Sequence, residues 1–394
     1  MARVNPEFGK EIKKFGANEF DACYNCGTCT AICSLSDGEN SFPRKMLRYT
    51  VLGLDGQIQR SLDPWLCYYC GDCSTTCPRE ANPGNLMMAT RRYLIAKYDW
   101  TGISRMLYTS KTFEIVALLF IALLVLLGFI FFHGEMTTEL TPEGGVKLNT
   151  FAPWQIIELV DWGVAAVLSS LLLSNVVRMY LKIVRSRVKE GLRIPFKLYF
   201  TQLPALIGHF ATQRRFAKCH TEKISWREKL KQGKNTYWLV HFLLMSSYVM
   251  LFTMIVGFLG WFQTDEIHDW WHPQRLLGYY TTVGLIGGII YFSVLRIKKK
   301  TEKAKHTHFT DWTFLLLLML TAVTGILVHF FRVNGMPYPT YIMYVVHLMI
   351  LFPMLIIEVP FSKWSHLAYR PLAIYLSLVV SKAEKLMKQK PAKS

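Results

Sequence analysis

Eight of the nine cysteines fall in two runs of the same spacing. Cys23, Cys26, Cys29 and Cys33 read C-x2-C-x2-C-x3-C, and Cys67, Cys70, Cys73 and Cys77 repeat the pattern, followed by Pro78. Thiolates so spaced suit [4Fe–4S] cubes. A tight loop lets three sulfurs grip three irons, and the fourth, on the following segment, reaches the neighbouring cube. The expected sets are therefore crossed: Cys23, Cys26 and Cys29 with Cys77, and Cys67, Cys70 and Cys73 with Cys33. Zinc is the competing metal, because two C-x2-C pairs can hold it, but it does not account for two matched four-cysteine runs. Gly27 and Gly71 follow the second cysteine of each run, where the missing Cβ lets backbone amides approach the cluster sulfurs. Between the runs, 42–49 reads as a helix start and no strand-like alternation occurs. The module is expected to be helical. Cys219 stands apart and reads as an ordinary thiol.

Histidine is the second chemistry-bearing residue type, with eleven copies. Neutral imidazoles on facing helices are how a bundle holds b-type haem iron. Which histidines qualify depends on the elements that carry them. The chain is 52% hydrophobic and only 18% charged, with mean hydropathy +0.22. A soluble domain carries about 25% charge, so this composition points to a membrane. An aromatic content of 14% excludes intrinsic disorder. Residues 1–111 are polar, and their start leads to no secretory apolar run. Six later stretches, 112–132, 159–181, 237–262, 273–295, 311–331 and 340–362, are long enough to span a membrane. A hydrocarbon core of ~30 Å takes about 20 helical residues.

Basic residues alternate between the connections. Residues 182–234 hold 14 Lys and Arg, 296–305 hold six and the tail after Ser362 holds seven. The intervening connections hold Lys147 alone, none, and Arg332 alone. That is the positive-inside pattern. It places both termini and the cysteine region on the cytoplasmic side of an inner membrane. It also absorbs most of the +18 net charge, so nucleic acid is excluded as a partner. A cytoplasmic cysteine region disfavours disulfides. Residues 196–213 read as an amphipathic helix on the cytoplasmic interface, not as a seventh span. The expected fold class is all-α: a helical dicluster ferredoxin-like domain over 1–111, a six-helix transmembrane bundle over 112–370, and a basic cytoplasmic tail over 371–394 in solvent or against lipid.

Depth now sorts the histidines. His306 and His308 sit in a Lys-rich loop and are expected to be solvated. His241, at the cytoplasmic end of the third stretch, and His366, at that end of the sixth, lie at similar depth and suit one haem. His347 precedes His366 by a helical rise of about 28 Å, so one helix would serve haems at opposite faces. The candidates opposite His347 are His329 first, then His272, then His133.

These residues carry a family resemblance. The cysteine half resembles the C subunit of heterodisulfide reductase. The membrane half is similar to the b-type cytochrome subunit of respiratory nitrate reductase and the membrane subunit of heterodisulfide reductase. Val346-His347-Leu348 through Val359-Pro360-Phe361-Ser362-Lys363-Trp364-Ser365-His366 is similar to that family's last haem-binding helix, and Leu239-Val240-His241 to its early one. Those cytochromes carry a second histidine about ten residues after the first, where Met250 and Leu251 stand here. The fusion of both halves resembles the C subunits of quinone-interacting membrane-bound oxidoreductase complexes. The resemblance implies two [4Fe–4S] clusters, two b haems or at least one, and menaquinol or another quinol as substrate. It also implies cytoplasmic flavin and iron–sulfur subunits as partners, with adenylylsulfate reductase as the recipient. A heterodisulfide- or sulfite-reductase-linked complex is the alternative, and a non-haem membrane anchor with a regulatory iron–sulfur domain is the second. Neither a Cys-Cys-Gly motif nor a G-x-G-x-x-G fingerprint occurs, which leaves disulfide and flavin chemistry to partners.

Overall fold

The computed structural model describes residues 3–37, 40–213, 236–299 and 301–389. Cys219, His220 and Lys300 lie outside them. Among the described residues the chain is helical throughout, with one isolated bridge between Leu140 and Val146 and no strand. The first hundred residues form a small helical module around Phe8, Ile12, Met46, Leu47, Trp65 and Tyr93, all at most 1% exposed. Its longest helix, Pro83–Tyr98, starts where the Asn82 side chain accepts the Asn85 amide, with Pro83 in the first turn.

Six helices are long and apolar enough to cross a membrane: Lys111–Phe132, Trp154–Lys189, Thr236–Phe262, Pro273–Lys298, Phe309–Val333 and Pro337–Phe361. They mark a membrane protein. Ser110 caps the first through the Phe113 amide, and His308 with Asp311 forms a capping box on the fifth. The third and fourth pack closely because Gly284 and Gly288 present no side chain. A Cβ on Gly284 would overlap Ser247 Oγ, and one on Gly288 would lie 2.8 Å from Leu244 Cδ1.

Three features differ from the sequence expectations. The second long helix runs to 36 residues, well past a membrane's need, and its end buries Met179, Ile183 and Val184 in the core of the cysteine module. The 371 boundary falls inside a helix, His366–Gln389, which buries Tyr369, Ala373, Leu376 and Val379 in that same core. Apolar residues every three or four positions make this segment a docking helix; only its last turns, from Ser381, are largely exposed. Residues 196–213 form two short helices, Lys197–Thr201 and Leu203–Thr212, whose Phe196, Phe200, Ile207 and Phe210 remain exposed. Tyr375 Oη donates to the Tyr199 carbonyl at 2.6 Å and ties them to the docking helix.

The close crossing of the third and fourth long helices is testable. Gly284→Val should lower the melting temperature in detergent, since overpacking costs roughly 1–3 kcal/mol. Gly287→Val, at a position with nothing within 4 Å, should leave it unchanged. Equal effects would show that the crossing does not depend on Gly284.

Candidate metal centres and membrane cavities

The two cysteine loops adopt one backbone conformation twice. Asn25 (φ 63°) and Tyr69 (φ 56°) are left-handed, as are Gly27 (φ 92°) and Gly71 (φ 96°), and each glycine leads into a short helix, Thr28–Ile32 or Asp72–Thr75. This turn aims amides at sulfur: Asn25 N–H donates to Cys23 Sγ at 3.4 Å and Tyr69 N–H to Cys67 Sγ at 3.3 Å. Cys23, Cys26, Cys29 and Cys77 line one cavity, with Arg44 and Arg79. Cys33, Cys67, Cys70 and Cys73 line another. The loops are thus interleaved, each cavity taking three sulfurs from one run and the fourth from the other.

The first cavity lies nearer solvent. Cys26 is exposed, whereas Cys67 of the second is buried. Burial pushes the Cys33 thiol up to about 11 and raises Cys73 as well, while the Thr28 hydroxyl beside Cys26 lowers that thiol. Buried thiols that resist ionising alone, gathered in fours, are a donor set that a cationic iron core stabilises.

The second cavity is tied to the membrane half. Arg370, one turn past His366, donates Nη2 to the Cys67 carbonyl at 3.0 Å and Nε to the Trp65 carbonyl at 3.3 Å. Arg91 donates to the same Cys67 carbonyl and, at 2.7 Å, to that of Pro64. The loop between the fourth and fifth long helices also reaches the module. His306 Nε2 lies 2.6 Å from Asn82 Nδ2, and Glu302 covers Gly71. The solvated reading of His306 and His308 is therefore corrected. Both are half-buried, because this loop docks on the cysteine module, and His308 packs edge-on against Tyr108. Burial pushes His308 down to about 3.

His241 and His366 come together. Both line a small cavity with His209 and Gln213, and both line a larger one of about 210 Å³ beneath the cysteine module. Arg370 lines both cavities as well. The Nδ1 of His241 lies 2.8 Å from Gln213 Oε1, and His366 Nδ1 meets the Lys363 carbonyl. These oxygens only accept, so each ring carries its proton on Nδ1 and keeps its lone pair on Nε2, the tautomer that binds a metal. Burial pushes His366 down to about 3, so the ring is neutral at physiological pH.

A second cavity, of about 220 Å³, opens between the third, fourth, fifth and sixth long helices and contains His347 and His329. Their tautomers are opposite. Thr324 Oγ1 donates to the Leu320 carbonyl at 2.7 Å, so it accepts from His347 Nδ1 at 2.9 Å, leaving Nε2 bare. Gly325 leaves room for this ring. His329 Nδ1 instead accepts from Arg275 Nη1 at 2.5 Å, which puts its proton on Nε2, 3.2 Å from Tyr279 Oη. Arg275 Nη1 also lies 3.2 Å from His329 Nε2, so a guanidinium borders both nitrogens of this ring. His272 stacks on His268 at 3.9 Å and His133 on Phe151 at 5.3 Å, and neither lines this cavity. Met250 is 37% exposed on the surface of the third long helix, also apart from it.

Residues 19–81 match the 4Fe-4S dicluster domain family. This part of the chain is 34% identical over 88 residues to a protein of Archaeoglobus profundus described as like the C subunit of heterodisulfide reductase, covering 22% of this chain and 47% of that one. An iron-sulfur C subunit of the CoB–CoM heterodisulfide reductase of Methanocaldococcus jannaschii is 32% identical over 105 residues, 25% of this chain and 56% of that one. The corresponding C subunit of Methanopyrus kandleri is 29% identical over 119 residues, 28% and 62%. The chain thus spans about half the length of the curated relatives it matches. No solved structure matches. Residues 19–81 thus carry a 4Fe-4S dicluster domain on a chain with six helices long and apolar enough to cross a membrane, and the named relatives are C subunits, or C-subunit-like proteins, of heterodisulfide reductases.

Sequence reasoning missed His209, Gln213, Arg91 and Arg370. Lone polar residues on helices give no spacing signal; only tertiary contact shows what they serve. The repeated glycines make a paired test. Gly27→Ala and Gly71→Ala both force a side chain into a left-handed turn, at roughly 1–2 kcal/mol. Gly71→Ala also drives its Cβ into the Glu302 side chain, so it should lower the melting temperature further. Equal melting temperatures would contradict the docking of the 301–305 segment on the second loop.

Proposed function

We propose that this chain is the membrane subunit of a quinol-oxidising complex. Electrons would pass from the cavity of His347 and His329, which the positive-inside pattern puts toward the outer face, through a b haem on His241 and His366, to two [4Fe–4S] clusters on the crossed cysteine sets and on to cytoplasmic flavin and iron–sulfur partners. The observation that carries it is the convergence of two histidines in the metal-binding tautomer, one of them, His366, a helical turn from an arginine that grips a cluster-loop carbonyl. The haem supplies a one-electron carrier in low-dielectric surroundings. His241 and His366 would bind its iron, while Gln213 and the Lys363 carbonyl hold the rings in orientation. The positive-inside pattern supports cytoplasmic termini and an inner-membrane setting.

The outer cavity reads better as a quinol site than as a second haem site. A quinol gives up two electrons and two protons. His347, with a bare Nε2, is placed to accept a proton from one hydroxyl, and His329, held by Arg275, to donate a hydrogen bond to the other oxygen. Residues lining the two cavities approach along shared helices. Leu251 and Leu244 on the third, and Leu285 and Phe292 on the fourth, are separated by a rise of about 10 Å. That spacing suits passage of single electrons between the two sites.

By resemblance the terminal recipient is adenylylsulfate reductase. The named relatives favour a second reading, a heterodisulfide as the acceptor, with the disulfide-cleaving centre on a partner.

His241→Ala and His366→Ala should each abolish the same b-type absorbance while the cluster signals persist. His347→Ala should keep that absorbance and lower the quinol-oxidation rate by about 10²-fold or more, the scale of losing a general base. Loss of different haems in the first two variants, or of a haem in the third, would overturn the assignment.

A further inference from the structure

The two cubane sites sit in unequal electrostatic surroundings. At the second, two guanidiniums from different elements, Arg91 of the Pro83–Tyr98 helix and Arg370 of the docking helix, donate to one oxygen, the Cys67 carbonyl. Both side chains are guanidiniums, which remain cationic at neutral pH. At the first site the basic neighbours are Arg79, exposed, and Arg44, half-buried, both screened by water. Reduction adds one negative charge to a cubane, and a fixed buried cation favours the form that carries it. The second site also faces the bundle, whereas the first presents the exposed Cys26 to solvent.

We propose that Arg91 and Arg370 make the cluster on Cys33, Cys67, Cys70 and Cys73 the membrane-side and higher-potential one of the pair, with Arg370 the positioning residue that links it to His366. This rests on the cofactors proposed above. The transfer would be of a single electron, from a haem held by His241 and His366 to the cluster held by Cys33, Cys67, Cys70 and Cys73, one oxidised as the other is reduced and with no proton or leaving group moved. The solvent-side cluster on Cys23, Cys26, Cys29 and Cys77 then delivers to the partner. Two oppositely placed roles thus follow from one asymmetry, a buried guanidinium pair on one loop and not on its structural twin.

The test is an EPR redox titration of the purified complex, with the two cluster signals assigned by Cys33→Ser and Cys77→Ser. Arg370→Gln should shift the reduced-to-oxidised ratio of the Cys33-assigned cluster by roughly tenfold at fixed potential, about 59 mV for one electron, toward lower potential. The Cys77-assigned cluster should not move. Arg370→Lys, which keeps the charge, should restore most of the shift, a rescue that a purely structural role would not give. Should Arg370→Gln fail to assemble its clusters, Arg91→Gln carries the same expectation. A shift confined to the Cys77-assigned cluster, equal shifts of both, or none with both clusters present would overturn the proposal. Absence of b-type absorbance in the wild type would instead overturn the haem assignment and leave the cluster potentials to be read on their own.

Discussion

Trp65 is fully buried between Tyr98 of the cysteine module, at 6.5 Å, and Tyr369 of the docking helix, at 5.1 Å. The rest of the arrangement depends on this contact. It welds the dicluster domain to the helix that begins at His366, so a residue of the cluster loop's neighbourhood and a residue beside the membrane share one core. Burying an aromatic side chain of this size contributes roughly 1.5–3 kcal/mol, and three aromatic rings are committed here. The hydrogen bonds from Arg370 to the Trp65 and Cys67 carbonyls follow the same line. A carrier chain needs its stations at fixed separation, and a domain on a flexible tether would not provide it.

The other tethers agree in direction. Lys182, on the extended second long helix, donates to Gln59 at 2.8 Å and to the Lys97 carbonyl at 3.2 Å. Trp100 Nε1 donates to Ser174 at 3.0 Å. His306 and Glu302 reach the module from the loop between the fourth and fifth long helices. Three separate stretches of the membrane half therefore hold one small domain, and they converge on its second cysteine loop and its longest helix. This leaves the first loop, with exposed Tyr24 and Cys26, facing outward.

Much of this is legible in the sequence. The six long helices follow from apolar length alone, which the thickness of a bilayer dictates. The all-α class follows from the absence of alternating patterns around the cysteines. The 371–380 stretch reads as tail because its Lys-rich continuation masks a helical periodicity, which buried Ala373, Leu376 and Val379 carry. His306 and His308 mislead for a related reason. A Lys-rich loop looks solvated until the domain that covers it is placed. The state of each histidine is not legible either, since a ring's proton position is set by partners such as Thr324, Gln213 and Arg275, distant in sequence.

On the proposed route, electrons enter at the outer cavity and reach the clusters through a haem on His241 and His366. Rapid mixing of the oxidised, purified complex with a water-soluble short-chain quinol, followed by freeze-quench optical and EPR spectra, tests it most directly. The route predicts that b-type absorbance rises first and that the reduced-cluster signal follows. Reduced clusters forming with no b-type absorbance at any time would contradict it.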